Sequence, residues 1–278
     1  RNANWLEGMV EVLMETGRAG EALPLLDELL EDEPLNPGFW RAQANSWAAR
    51  GDLKRAARNL EIARVLDAGN AESLYQLGNI YLKLEMPKEA AAAYREGMGL
   101  SPFPDFRQAL RVVRILVREG AVDEAGALFA EVDTGTGDWK KRDRIRFRLV
   151  SAELAEARGN REAAIGHLAW IAEQDPMNGE ALYRLAGLYH EGGQPAEARV
   201  ALERVGEESG YYYGSRMLLT RILVELEQYE AAIPVLEQAM KIKPGPRLNT
   251  LYRQIRRAIE SGKSAGVPPV AGSDGVGE

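Results

Sequence analysis

The chain has 278 residues, 45% of them apolar, with 35 Lys plus Arg against 42 Asp plus Glu and a formal net charge of -7. It contains no Cys and only two His, which excludes thiol catalysis, disulfides, Cys-ligated zinc or iron–sulfur sites and three-His metal centres. The acidic balance argues against general nucleic-acid binding, and no run of about 18 apolar residues exists to form a membrane-spanning helix.

A four-point register then runs along the chain. In residues 3–36 it is Gly17, Ala22, Leu26 and Pro34, and in 37–70 it is Gly51, Ala56 and Leu60. Residues 71–105 carry Glu85, Ala90, Tyr94 and Pro102, and 106–144 carry Gly120, Ala125 and Phe129. Residues 145–178 carry Gly159, Ala164, Leu168 and Pro176, and 179–212 carry Gly193, Ala198 and Leu202. Residues 213–246 close the series with Glu227, Ala232, Leu236 and Pro244. The Ala-to-Ala gaps are 34, 34, 35, 39, 34 and 34 residues. A period of this length marks a stacked repeat.

Each unit reads as two helices. The first has an apolar stripe at steps of three and four, as in Leu74, Leu77, Gly78 and Tyr81. The register Gly suits a helix C-terminus with left-handed φ. The Ala marks a close helix–helix approach, and the Pro ends the second helix. Pro24 and Pro234 are expected early in second helices, where Pro costs least. Repeat 5 departs from the pattern with Arg148 and Ala155, so its first helix is expected to pack loosely. Residues 247–260 read as a capping helix, with Leu248, Leu251, Tyr252, Ile255 and Ile259 on one face. Residues 261–278, with five Gly and two Pro, read as a flexible tail, with a docking segment as the other reading. The segment Thr134–Asp138 reads as an inserted loop, a hinge or side contact. The fold class is all-α, helical hairpins stacked over residues 1–260, because one hairpin cannot bury both faces alone.

The pattern resembles the tetratricopeptide repeat over residues 3–246, most closely in Leu74, Leu77, Gly78, Tyr81, Ala90, Tyr94 and Pro102. The resemblance implies an α-solenoid whose first helices line a concave, partner-binding face. The residues it places there are Arg41, Asn45, Gln76, Asn79, Arg107, Arg111 and Arg114. Arg41, Asn45, Gln76, Arg107 and Arg111 also resemble the carboxylate clamp of tetratricopeptide co-chaperones, although only two of the five match it in residue type. Guanidinium and amide groups together suit a carboxylate through charge-assisted hydrogen bonds.

Other features read more simply. Trp139–Arg148 carries six cations in ten residues; a solvated helix start is the simpler reading and an acidic partner or nucleic acid the other. Tyr211, Tyr212 and Tyr213 precede repeat 7 and read as junction packing. Trp5, Trp40, Trp47 and Trp170 are assigned to the core. His167 and His190 lack spaced partners, so no catalytic residue, cofactor or metal ligand is expected.

The expected role is a non-catalytic scaffold or adaptor for a protein or peptide partner with acidic groups, with no small-molecule substrate. The alternatives are a regulatory repeat segment of a larger enzyme and a self-assembling scaffold. Twenty-seven Arg against eight Lys hint at a GC-rich bacterial source. The chain begins at Arg1 rather than Met, so removal of an upstream segment is expected. Bacterial proteins of this family often serve envelope assemblies, so the reading leans to the periplasm over the cytoplasm. Oligomeric state and partner identity are left open.

Overall fold

A computed structural model describes residues 3–67, 70–100, 106–132 and 139–261. Among these residues all regular structure is helical. Helix α1 (Ala3–Glu15) packs with a 3-10 turn (Ala19–Ala22) and α2 (Leu23–Asp32). Four hairpins follow: α3 (Pro37–Ala49) with α4 (Leu53–Leu66), α5 (Ala71–Lys83) with α6 (Pro87–Gly99), α7 (Phe106–Arg118) with α8 (Val122–Ala130), and α9 (Lys141–Ala157) with α10 (Arg161–Gln174). Two more pair α11 (Gly179–Glu191) with α12 (Pro195–Glu203) and α13 (Tyr212–Glu225) with α14 (Tyr229–Ile242), and α15 (Pro246–Ser261) packs on α14.

Local chemistry starts and ends these helices. The side chains of Asn36, Asn70 and Asn178 accept backbone N–H bonds from Gly38, Ser73 and Ala181 at the starts of α3, α5 and α11. Asp52 and Asn160 do the same at α4 and α10. Each cap satisfies an N–H that the helix itself leaves open and is worth about 1 kcal/mol. The seven hairpins turn at Gly17, Gly51, Glu85, Gly120, Gly159, Gly193 and Glu227, all with φ between 57° and 80°. Five register positions use Gly for that left-handed turn, and two force a glutamate into it.

The core lies between the helices of each hairpin and its neighbours. All seven register alanines are fully buried at 0% exposure. Four residues on, Leu26, Leu60, Tyr94, Leu168, Leu202 and Leu236 are buried as well, and Phe129 is half-buried. Burial of each such Leu stabilises by about 1.5–3 kcal/mol. In the third hairpin Gly78 lets the Tyr94 ring approach; a Cβ there would sit 2.6 Å from a ring carbon.

Packing divides the chain into two compact units, Arg1–Asp138 and Trp139–Glu278. In the first, Leu6, Val10, Leu13, Leu26 and Leu29 form one cluster, and Ala44, Ala56, Leu60, Leu77 and Ile80 form another. In the second, one cluster runs through Leu168, Leu182, Leu202, Ile222, Leu236 and Ile255.

Several expectations are corrected. Trp5 is 57% exposed rather than core. Trp40, Trp47 and Trp170 are half-buried; Trp40 donates its indole N–H to the Pro34 carbonyl at 2.8 Å. Pro24 stands in the first turn of α2, but Pro234 lies inside α14, which continues through it. Helix α9 opens within the cationic Trp139–Arg148 segment, as a helix start there implies, and α13 includes Tyr212 and Tyr213. Repeat 5 is not loose at its unusual residues. Ala155 is buried, and Arg148 lies over the Trp170 ring at 5.1 Å. The capping helix runs from Pro246 to Ser261. The expected loop at Thr134–Asp138 and nearly all of the expected tail lie outside the described residues.

Candidate functional site

Within the first unit, polar side chains join the first helices of successive hairpins. The Gln76 amide on α5 donates to the Asn45 side-chain oxygen on α3. The Tyr75 hydroxyl meets the Gln108 side chain on α7, which partly offsets the upward pull of burial on its pKa. Helices α3, α5 and α7 therefore lie in sequence, bridged at side-chain level.

The expected site residues are placed unevenly along this face. Arg41 is tied to Asp67 beyond the end of α4, with Nη1 2.9 Å from a carboxylate oxygen. The pair is partly exposed, so it contributes modestly to stability, yet it occupies one edge of the guanidinium. Asn45 and Gln76 are half-buried and bonded to each other. Asn79 is exposed, and its side-chain oxygen accepts the Tyr94 hydroxyl at 2.6 Å. Burial pushes that hydroxyl up to about 12, so it stays a donor.

Arg107, Arg111 and Arg114 are all exposed on α7. Arg118 continues the series at the helix end, where it pairs with Glu119 at 3.4 Å, and the sequence reading did not include it. The steps of four, three and four residues set all four guanidinium stems in one stripe. Val112, Val113 and Leu116 are buried on the far side, and Leu110 is buried at the edge of the stripe. No acidic residue occurs anywhere in α7. Arg111 has no hydrogen-bond or ion-pair partner among the described residues. That contrasts with Arg64, held by both Glu61 and Glu96, and Arg95, held by Glu131. The readable signal for Arg118 was the absence of any acid from residues 106–118.

In the second unit Glu180 and Glu153 stand at the repeat positions of Arg107 and Arg114, while Arg184 stands at that of Arg111. Arg184 on α11 contacts Glu153 and Glu156 on α9 at 3.3 and 2.9 Å, and Glu180 at 3.7 Å. The Glu153–Arg184 link spans 31 residues, as the Asn45–Gln76 link does. Burial raises the Glu156 pKa, while Arg184 opposes the rise. One Arg against three Glu leaves an acidic cluster.

The remaining candidates find structural partners. Trp139 and Phe147 make an edge-on ring pair at 5.3 Å. Lys140, Lys141, Arg142 and Arg144 are exposed at the start of α9, and Asp143 is buried there. Tyr211 packs on Tyr183 at 5.7 Å, and Tyr212 is buried beneath Arg216. His190 contacts Glu225, and His167 contacts Arg148. Among the described residues no group of three or more His, Cys, Asp or Glu is arranged to hold a metal. No described helix is long and apolar enough to cross a membrane.

Tetratricopeptide-repeat family models match residues 8–71, 71–104, 155–210 and 190–255, well over half the chain. The chain belongs to the tetratricopeptide-repeat family. A tetratricopeptide repeat protein from Parabacteroides merdae is 18% identical, with TM-score 0.51, over 91% of this chain and 98% of its own. The C-terminal part of a repeat-containing protein from Cytophaga hutchinsonii is 10% identical, with TM-score 0.60, over 87% of this chain and 97% of its own. At these identities the likeness is one of fold. No curated protein matches the chain. Tetratricopeptide proteins are in general non-catalytic modules that bind protein or peptide partners, and this tetratricopeptide chain has the architecture of such an interaction scaffold.

Proposed function

We propose that the first unit holds an acidic peptide or protein segment along α3, α5 and α7, making the chain an adaptor for an anionic partner. The observation that carries this reading is the stripe Arg107, Arg111, Arg114 and Arg118, exposed on a helix without a single acid. Residues 1–138 contain 15 basic and 23 acidic side chains, so a stripe of four arginines is not a by-product of composition. The mechanism is preorganisation. Stacked hairpins hold the helix fixed, so little backbone order is lost on binding. Asn79, and the amide edges of Asn45 and Gln76 that their mutual bond leaves open, add directional hydrogen bonds. Arg41 is a poorer member of the set, because Asp67 competes for it. The α7 stripe therefore carries the affinity in this reading, not a five-residue carboxylate clamp.

The test uses the full chain and a fluorescein-labelled Asp/Glu-rich peptide, followed by anisotropy. A charge-assisted hydrogen bond contributes about 1.5–3 kcal/mol net, so replacing Arg107 and Arg111 together by Ala is expected to weaken binding at least tenfold. It should also flatten the salt dependence. Replacing Arg41 by Ala should change the affinity less than threefold. Amidating the peptide C-terminus should have little effect. Affinity that is indifferent to the α7 substitutions would remove the proposal, and a large loss on amidation would restore the terminal-carboxylate clamp.

A further inference from the structure

The first and last described helical segments are opposite in charge. From Ala3 to Glu33 there are nine acidic residues and one basic, and from Lys241 to Ser261 six basic and one acidic. The acidic segment also exposes apolar surface. Trp5, Met9 and Val12 are 57%, 37% and 53% exposed. Their steps of four and three set them on one side of α1, beside but distinct from the buried Leu6, Val10 and Leu13. Glu7, Glu11 and Glu15, all exposed, form a second line bordering that stripe. The first helix is thus apolar on two adjacent sides, and only one is covered by its own hairpin.

The basic segment offers the complement. Helix α15 buries Leu248, Leu251, Ile255 and Ala258 and exposes Arg253, Arg256 and Arg257, with one exposed acid, Glu260, among them. Half-buried Tyr252 and Ile259 edge that basic face, and Arg256 lies over the Tyr252 ring at 5.5 Å. Ile242, just before α15, is 45% exposed. We infer that α1 of one copy docks on α15 of a second copy, with Glu7, Glu11 and Glu15 facing Arg253, Arg256 and Arg257 and with Trp5, Met9 and Val12 covering Tyr252 and Ile259. The occupant of the exposed α1 stripe is another molecule of this chain. The two faces differ, so the contact is heterologous, and every copy offers one face of each kind. Charge complementarity of this kind sets orientation and the rate of encounter more than affinity, so the association is weak and salt-sensitive. It is independent of the α7 stripe.

Sedimentation velocity of the full chain from about 10 µM to about 1 mM, at low and at high salt, tests this. The wild type is expected to grow beyond monomer with concentration at low salt and to revert at high salt. Glu7→Arg with Glu11→Arg, or Arg253→Glu with Arg256→Glu, should each leave monomers at every concentration, with melting curves confirming a folded chain. Mixing the two reversed variants should restore assembly, because basic α1 then meets acidic α15. Met9→Ser with Val12→Ser should weaken the wild-type association at least tenfold, and Arg107→Ala with Arg111→Ala should leave it unchanged. A wild type that stays monomeric throughout, reversed variants that assemble like the wild type, or a mixture that fails to assemble would each overturn the inference.

Discussion

At the scale of single residues, the hairpin turns separate what backbone geometry requires from what the sequence supplies. All seven turn residues have positive φ, and two of them are Glu85 and Glu227. A left-handed L-residue costs about 1–2 kcal/mol, part of which Gly returns through its larger loss of freedom on folding. Replacing either glutamate by Gly should therefore raise stability by about 0.5–1 kcal/mol. Gly51→Ala and Gly159→Ala should lower it by a similar amount. Urea unfolding of the four variants measures this, and no gain from Glu85→Gly would show that its side chain holds the turn in some other way. Residue identity at the buried alanines follows a stricter rule. Each is fully buried, so a larger side chain must displace its neighbours.

At the scale of helices, contacts between neighbouring elements tune individual groups. His167 on α10 is half-buried and lies 3.0 Å from an Arg148 nitrogen on α9. Burial first, and the Arg148 charge second, hold its pKa below 6.5. The folded chain then resists protonating a group that the unfolded chain protonates readily. Stability from this group is complete above pH about 6.5, falls as pH drops below it, and levels off under the folded-state value. His167→Gln should remove that part of the pH slope in melting experiments. Arg148→Met should raise the His167 pKa, read from its ring-proton NMR titration, yet leave it below 6.5 because burial is the larger cause. A pKa returning fully to 6.5 would make the charge dominant instead. The helices themselves were legible in the sequence, since one period carries turn, Ala, Leu and Pro in register and each answers a local need. What lay beyond the pattern depends on distances between repeats. Nothing near Arg41 marks Asp67, 26 residues away, as its partner. The apolar spacing of α1 does not tell that Leu6 is covered and Trp5 is not. The exposed stripe on α7 was legible because it needs one helix only, and Arg118 was missed only because the family's position pattern stops at Arg114. Pro24 and Pro234 occupy the same register position, two residues after the Ala, yet one follows a 3-10 turn and the other sits inside a continuous helix.

At the scale of the whole chain, each compact unit carries packing clusters of its own. Leu26, Leu29, Leu60 and Leu77 are buried by residues of the first unit, and Leu182, Leu202, Ile222 and Ile255 by residues of the second. In a repeat array, stability is a sum of intrinsic and nearest-neighbour contributions, so coupling is carried only where neighbours share a core. The break at Asp138 and Trp139 is where the repeat spacing widens to 39 residues. Urea unfolding should therefore show two phases rather than one. Overpacking a register alanine costs about 1–3 kcal/mol and assigns them: Ala56→Leu should move the midpoint of one phase only, and Ala198→Leu that of the other. Tryptophan fluorescence serves as the probe, since Trp40 and Trp47 report on the first unit and Trp139 and Trp170 on the second. A single transition, shifted as a whole by either substitution, would mean that the repeats on both sides of the insertion fold as one array. In that case the α7 stripe and the acidic Glu153, Glu156 and Glu180 cluster would be presented by one cooperative scaffold instead of two separately stable ones.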